Sequence, residues 1–263
     1  THHPSSAASD VYKRQTYNIF MENKLHFVLI HGAWHGSWAW KNVSSKLSEK
    51  NFKVSCPNLT GLGERKHLIS NQITIDTFIK DVENHIIYQN LENLVLVGHS
   101  FAGSILSGLA DRLKDKIKLL IYFDSIIVLN GETPFDTLPK KIVENRIQLS
   151  EKFDNGISIP EPSAESFGIF DIKQSLFLKD KLTPMPLSSF QSKLSLKNKI
   201  GNGLPLCYIK CKNPLYEPLE LSRKRVEDFG WPVYDLNAGH DGMISHPHDT
   251  INLFYKILAE QLK

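Results

Sequence analysis

The sequence predicts a doubly wound α/β fold: a mostly parallel sheet with helices on both faces, interrupted late by one helical insertion. Three observations lead there. Short apolar or β-rich runs recur along the chain, helical patterns fill most gaps between them, and a single proline-punctuated stretch breaks the alternation. Parallel strands need long crossovers, which helices supply, so this alternation implies a parallel sheet covered on both faces.

Leu25–Ile30 (LHFVLI) is the first strand-like run, and Trp38–Lys50 follows as a helix. Phe52–Pro57 reads as a second strand. Thr74–Gln89 reads as a helix because Ile75, Phe78, Ile79, Val82 and Ile86 recur at helical spacing. Leu94–Val97 (LVLV) is short and wholly apolar, as a strand buried on both faces must be, and it leads into a helix of small residues over Ser100–Lys114. Ile117–Phe123, Leu206–Lys210 and Pro232–Leu236 complete the strands, with helices over Leu219–Phe229 and Thr250–Leu262. Between Ile126 and Gly203 stand Pro134, Pro139, Pro160, Pro162, Pro184 and Pro186, with weak helical patches and no clear strand. That stretch reads as an insertion of about 126–203. Its Phe167, Phe170, Leu176, Phe177, Leu187 and Phe190 suit a helical cap closing a pocket.

At 263 residues the chain suits one α/β domain, expected over 21–263. Residues 1–20 begin with a polar, Ser/Ala-rich run, THHPSSAASDVYKRQ, which resembles a tag remnant and is expected to be a disordered leader, with Met21 a plausible natural start. Hydrophobic residues at 41% and charged residues at 22% are ordinary globular values, which exclude collagen-like and coiled-coil classes. A net charge of +3 is too small to predict a nucleic-acid partner. No apolar run has the roughly 18 residues of a membrane helix, and no signal-peptide core precedes the first strand. Cys56, Cys207 and Cys211 are too few for a disulfide framework and complete no zinc spacing. The expectation is a cytoplasmic protein with no membrane, metal or cofactor partner, as a monomer or homodimer.

Gly98-His99-Ser100-Phe101-Ala102-Gly103 stands between a strand and a small-residue helix. It matches the sharp strand–turn–helix that exposes a nucleophilic serine, with the second glycine displaced by one residue. His31-Gly32-Ala33-Trp34 follows the first strand, where the second backbone donor of an oxyanion hole is supplied, so Ala33 N–H and Phe101 N–H are the candidate donors. Gly239-His240-Asp241-Gly242 lies between the last strand and the last helix. Of eleven histidines His240 is the candidate base, because a serine hydroxyl needs a neighbour of pKa near 7 to take its proton. His99 is expected to point away from the nucleophile, and His31 or His35 to order the oxyanion loop. The acid has no standard place: Lys210-Cys211-Lys212-Asn213-Pro214 carries no carboxylate. Asp124, ending the strand after the nucleophile's helix, projects from the same sheet edge, and Glu217 and Glu220 remain alternatives. Trp34, Trp38 and Trp40 read mainly as core. Gly61-Leu62-Gly63-Glu64-Arg65 reads as loop punctuation, with Arg65 a candidate for the pocket rim.

Taken together, FVLIHGAWHGSWAW, NLTGLGERKHL, LVLVGHSFAG, LIYFDSIIVLNGE, LTPMPLSSF and LNAGHDGMISHP resemble bacterial α/β-hydrolases of the esterase type, and more distantly plant methylesterases and hydroxynitrile lyases. The resemblance runs from about Leu25 to Leu262. It implies the α/β-hydrolase fold with a cap, a Ser–His–acid triad, no cofactor and hydrolysis of a carboxylic ester. Ser100 and His240 match the nucleophile and base, and Ala33 and Phe101 the oxyanion pair. The acid departs, since in the plant relatives it falls near Lys212 to Pro214. The lyase markers are missing as well: Gly32 stands for their threonine and Asp241 for their lysine, so a leaving cyanide is expected to face a carboxylate. The expected function is a serine carboxylesterase for a small ester; the alternative is a non-catalytic ligand binder whose missing acid marks a decayed triad.

Overall fold

Six parallel strands form the central sheet in the computed structural model, which describes residues 24–262. The expected leader, 1–20, and Met21 lie outside the described residues. In chain order the elements are β1 (His26–Ile30), α1 (Lys41–Glu49), β2 (Lys53–Ser55), α2 (Ile75–Tyr88), β3 (Leu94–His99), α3 (Ala102–Arg112) and β4 (Ile117–Phe123). After the long excursion come β7 (Leu206–Cys211), a helix over Glu220–Asp228, β8 (Val233–Leu236) and a final helix over Pro247–Gln261. The strand order is β2-β1-β3-β4-β7-β8, and every pair in this sheet is parallel.

From β1 the path steps out to β2, then returns to β3 on the other side of β1. That reversal opens a crevice at the carboxyl ends of β1 and β3, where ligands bind in sheets of this kind. The two strands and β4 are apolar almost throughout because helices cover both faces: Phe27 to Ile30, Leu94 to Val97 and Leu119 to Phe123 are fully buried. α3 lies deep in the molecule and buries Ala102 through Ala110. Its glycines allow the close approach, since a Cβ on Gly108 would stand 2.3 Å from Ile79 Cδ1 of α2. α2 starts at a Thr74 capping box, in which Thr74 and Thr77 satisfy each other's amide groups.

Each of the six strand-like runs contains a strand. Several boundaries differ, and two of them have a clear cause. The nucleophile's helix begins at Ala102 rather than Ser100, because Ser100 itself takes a left-handed turn. The last helix begins at Pro247, three residues before Thr250, and proline suits a first turn whose N–H groups have no helical acceptor.

Between β4 and β7 the chain forms α4 (Lys140–Asp154), α5 (Ile172–Lys181) and α6 (Leu187–Gln191). It also forms a two-stranded antiparallel ladder of β5 (Ser158–Ile159) with β6 (Met185–Pro186), where the sequence shows no strand pattern. Strands this short carry no period-two pattern to read. Phe167, Leu187 and Phe190 turn inward, while Phe170, Leu176 and Phe177 are exposed. Among the described residues no helix is long and apolar enough to cross a membrane.

Candidate active site

The sheet register decides which side chains meet. Ile30 pairs with Gly98 and His99 pairs with Phe123, so Ser100 and Asp124 leave adjacent strands at the same level. Both turn sharply, Ser100 at φ 55° and Asp124 at φ 41°, and Trp34 after β1 sits at φ 64°. Non-glycine residues rarely occupy this region, at about 1–3 kcal/mol each. The surrounding ladder holds them there: Ser100 N donates to Phe123 O at 3.1 Å and Asp124 N to Ile209 O at 2.8 Å.

Small residues make the turn after β3 possible. A Cβ on Gly98 would fall 2.3 Å from Leu106 Cδ1, and one on Gly103 would fall 2.2 Å from Ile126 O. The tight approach of α3 to the chain after β4 therefore falls on Gly103. Position 102 carries its methyl group without such a demand, which accounts for the displaced second glycine.

Ser100, His240 and Asp124 form one hydrogen-bonded chain. Ser100 Oγ lies 2.9 Å from His240 Nε2, and His240 Nδ1 lies 2.7 Å from Asp124 Oδ2. The second carboxylate oxygen, Asp124 Oδ1, accepts from Cys211 N at 3.3 Å. His240 and Asp124 are both buried. With a carboxylate on Nδ1, the proton sits there, and Nε2 is the acceptor for the Ser100 hydroxyl. Of the carboxylates weighed from sequence, Asp124 is the one brought to His240. Glu217 and Glu220 are exposed beyond β7.

Ala33 and Phe101 are buried and line the same cavity as Ser100. Among the described residues neither amide donates to a protein acceptor. Buried N–H groups are nearly always paired, so these two keep their hydrogen-bonding capacity unused by the protein.

Three histidines near His240, namely His31, His35 and His99, take distinct states. His31 donates from Nδ1 to Gly32 O at 2.9 Å and accepts from Leu59 N at Nε2, at 3.2 Å. Burial pushes its pKa down from 6.5 to about 4, against the Gly32 carbonyl. His35 meets acceptors at both nitrogens, Ala33 O at 2.7 Å and Asp241 Oδ2 at 2.9 Å, so both must donate. Burial opposes that charge, yet the Asp241 carboxylate and the Ala33 carbonyl raise the pKa of His35 above its ordinary value. His99 does not point away from the site. Its ring lies 4.6 Å from that of His240, and its Nε2 donates to His240 O at 3.1 Å. Burial, then the neighbouring His240 and His35, hold its pKa well below 6.5.

Asp241 corrects one expectation. It is fully buried and bonded to His35, so it does not face a leaving group in the cavity. Gly32 remains as read: a Cβ there would fall 2.8 Å from Ser100 Cβ. Arg65 corrects another, since it binds Asn58 O and Asp81 and lies outside the cavity wall. Among the described residues, His99, His240 and Asp241 are a set of donors close enough for a metal, within 4.8 Å of one another. Both nitrogens of His240 are already engaged by Ser100 and Asp124.

His31 makes the fold's stability pH-dependent. The unfolded chain protonates His31 near 6.5, while the folded protein resists until about 4. The contribution is present above 6.5 and is lost as pH falls through that window, by about 3 kcal/mol. His26, also lowered to about 4 by burial, acts in the same direction. Urea unfolding between pH 7 and 4 is expected to show falling stability with a shallower slope in His31→Gln; equal slopes would contradict this.

The model of the Alpha/beta hydrolase family matches residues 27–253. The chain belongs to the alpha/beta hydrolase family. Within it, the chain is 29% identical over 235 residues to the carbendazim hydrolyzing esterase of Nocardioides sp. (strain SG-4G), covering 85% of this chain and 96% of that protein. It is 31% identical over 264 residues to the alpha-hydroxynitrile lyase of Arabidopsis thaliana, covering 92% and 100%. Among solved structures, an extracellular alpha/beta-hydrolase from a Paenibacillus species superposes with a TM-score of 0.79 at 23% identity, covering 89% of this chain and 98% of that one.

This alpha/beta hydrolase has a small, partly open cavity beside Ser100. Its wall includes Trp34, Phe190, Leu138, Arg146 and Tyr216. Trp40 is fully buried core, as expected, whereas Trp34 also faces the cavity. Sequence reasoning missed Tyr216 and Arg146. The Tyr216 ring stacks on that of His240 at 4.0 Å, two residues beyond the Lys210–Pro214 stretch that lacks the standard acid. Nothing local marks such a partner. Arg146 had a signal: it shares the inward stripe of α4 with Val143, Ile147 and Ser150.

Proposed function

We propose that this alpha/beta hydrolase is a serine carboxylesterase that hydrolyses a small ester through an acyl-enzyme. The supporting observation is the unbroken chain from Ser100 Oγ through His240 to Asp124, at 2.9 and 2.7 Å. His240 Nε2 takes the hydroxyl proton as Ser100 Oγ attacks the ester carbonyl carbon. Negative charge gathers on the carbonyl oxygen, where the free amides of Ala33 and Phe101 receive it; one such donor lowers a barrier by about 3 kcal/mol. The proton on His240 passes to the departing alkoxide, leaving Ser100 acylated. A water, deprotonated by the same imidazole, then releases the acid. Asp124 holds the proton on Nδ1 and stabilises the imidazolium.

The excursion over about 126–203 serves as the cap, supplying Leu138, Arg146 and Phe190 to the cavity. The ligand-binder reading rested on the missing acid after β7, and the Asp124 carboxylate beside His240 removes that support. The three cysteines are free, with Cys207 and Cys211 buried, in keeping with a reducing compartment and the cytoplasmic location expected from sequence.

A fluorophosphonate probe followed by peptide mass mapping tests the reading, alongside hydrolysis of 4-nitrophenyl butyrate. Stoichiometric phosphonylation of Ser100 with parallel loss of hydrolysis is the expected result. A protein that hydrolyses the ester without modification of Ser100, or does neither, would overturn it.

A further inference from the structure

We propose that Arg146 is a substrate-specificity residue, and that the ester this enzyme takes carries a second, free carboxylate, as in the half-ester of a short dicarboxylic acid. The chemistry at Ser100 rests on the esterase reading above; recognition of the carboxylate does not.

Arg146 is buried on the inward face of α4 and lines the same cavity as Ser100. Its guanidinium carbon lies 4.9 Å from the ring centroids of both Trp34 and Phe190. The Tyr216 hydroxyl is its polar neighbour, and it too belongs to the cavity wall. No carboxylate is paired with Arg146 among the described residues. The contrast with other arginines is plain. Arg225 grips both oxygens of Glu132 at 2.6 and 2.7 Å, and Arg112 holds Asp76 and Glu83.

A guanidinium has five N–H donors and stays protonated, so one tyrosine oxygen leaves most of its hydrogen-bonding capacity unused. Burying such a charge without a counter-ion is unfavourable, and a ligand carboxylate relieves it with two parallel hydrogen bonds. The nearby acids are already committed. Asp124 lies behind His240, accepting from it and from Cys211 N, and Glu132 is held by Arg225. Arg146 is thus the one formal cation in a largely apolar wall. The wall offers one formal positive charge, which a carboxylate monoanion balances and a phosphate dianion exceeds. Because the cavity is small, the free carboxylate and the scissile ester must be separated by a short chain. Hydrolysis then consumes one water and yields the dicarboxylic acid and the alcohol. The proton from Ser100 goes by way of His240 to the alkoxide, with no change of oxidation state.

Isothermal titration of the Ser100→Ala protein with monomethyl and dimethyl glutarate tests recognition apart from catalysis. The two ligands share one methyl ester and differ in whether the other end is a free carboxylate or a second methyl ester. The charged one is expected to bind at least tenfold tighter, and that preference is expected to vanish when Arg146→Met is added and to return in part with Arg146→Lys. Equal affinities in Ser100→Ala overturn the proposal, and that comparison stands even if the arginine variants fail to fold. A preference that survives Arg146→Met in a protein with an unchanged melting profile also overturns it. In wild type, the kcat/KM ratio of mono(4-nitrophenyl) glutarate to 4-nitrophenyl butyrate should exceed ten, mainly through KM. Binding preference without hydrolysis of either ester would sink the esterase reading alone.

Discussion

Ser100→Ala is expected to lower kcat for 4-nitrophenyl butyrate by about 10⁶-fold. The substitution removes the atom that lies 2.9 Å from His240 Nε2 and nothing else in the cavity wall. Alanine keeps the same backbone demand at φ 55°, and the amide of Phe101 stays in place. The melting temperature should therefore move by only a few degrees, so that lost activity reads as lost chemistry. The residual rate tests the rest of the site. With the nucleophile gone, two amide donors remain, and a small enhancement over water is expected from them. Retention of more than a few per cent of activity would place the attacking group elsewhere.

Asp124→Asn is expected to lower kcat by about 10⁴-fold with a smaller change in KM. The asparagine keeps the shape of the aspartate, and its carbonyl oxygen retains the bond from Cys211 N. Its amide then faces His240 Nδ1 with a donor where an acceptor stood. The imidazole must accept at Nδ1 and carry its proton on Nε2, which is the wrong form to deprotonate Ser100. The charge that steadies the imidazolium is lost in the same step. Glu217→Gln is the matched control: Glu217 is exposed, and its kcat should stay within twofold of wild type. A full-rate Asp124→Asn would remove Asp124 from the mechanism, and a collapse in Glu217→Gln would point to the acid rejected here.

The legible parts of the site share a property: each is written in one short, contiguous stretch. The turn around Ser100 needs an apolar strand, a run of small residues and a helix in immediate succession, and all three lie between Leu94 and Arg112. His240 is readable because a Gly-His-Asp-Gly turn falls between the last strand and the last helix. Asp124 was harder, since it is one carboxylate among many until the β3–β4 register sets it beside Ser100. Tyr216 was silent, because an aromatic ring on a loop has no pattern to repeat. Arg146 could be found only by noticing a charge on the buried stripe of α4.

Periodicity and punctuation alone determined the parallel sheet, its six strands, the place of the excursion and the identities of the hydroxyl and the imidazole, since these depend on near neighbours in the chain. Tertiary structure alone decided which carboxylate faces the imidazole, how the buried histidines divide into neutral and charged, and which cation looks into the cavity. Those outcomes follow from contacts between residues far apart in sequence, such as Asp124 with His240 and His35 with Asp241. Electrostatic partnership depends on distance in space, and distance in space is set by how strands align and where their ends turn.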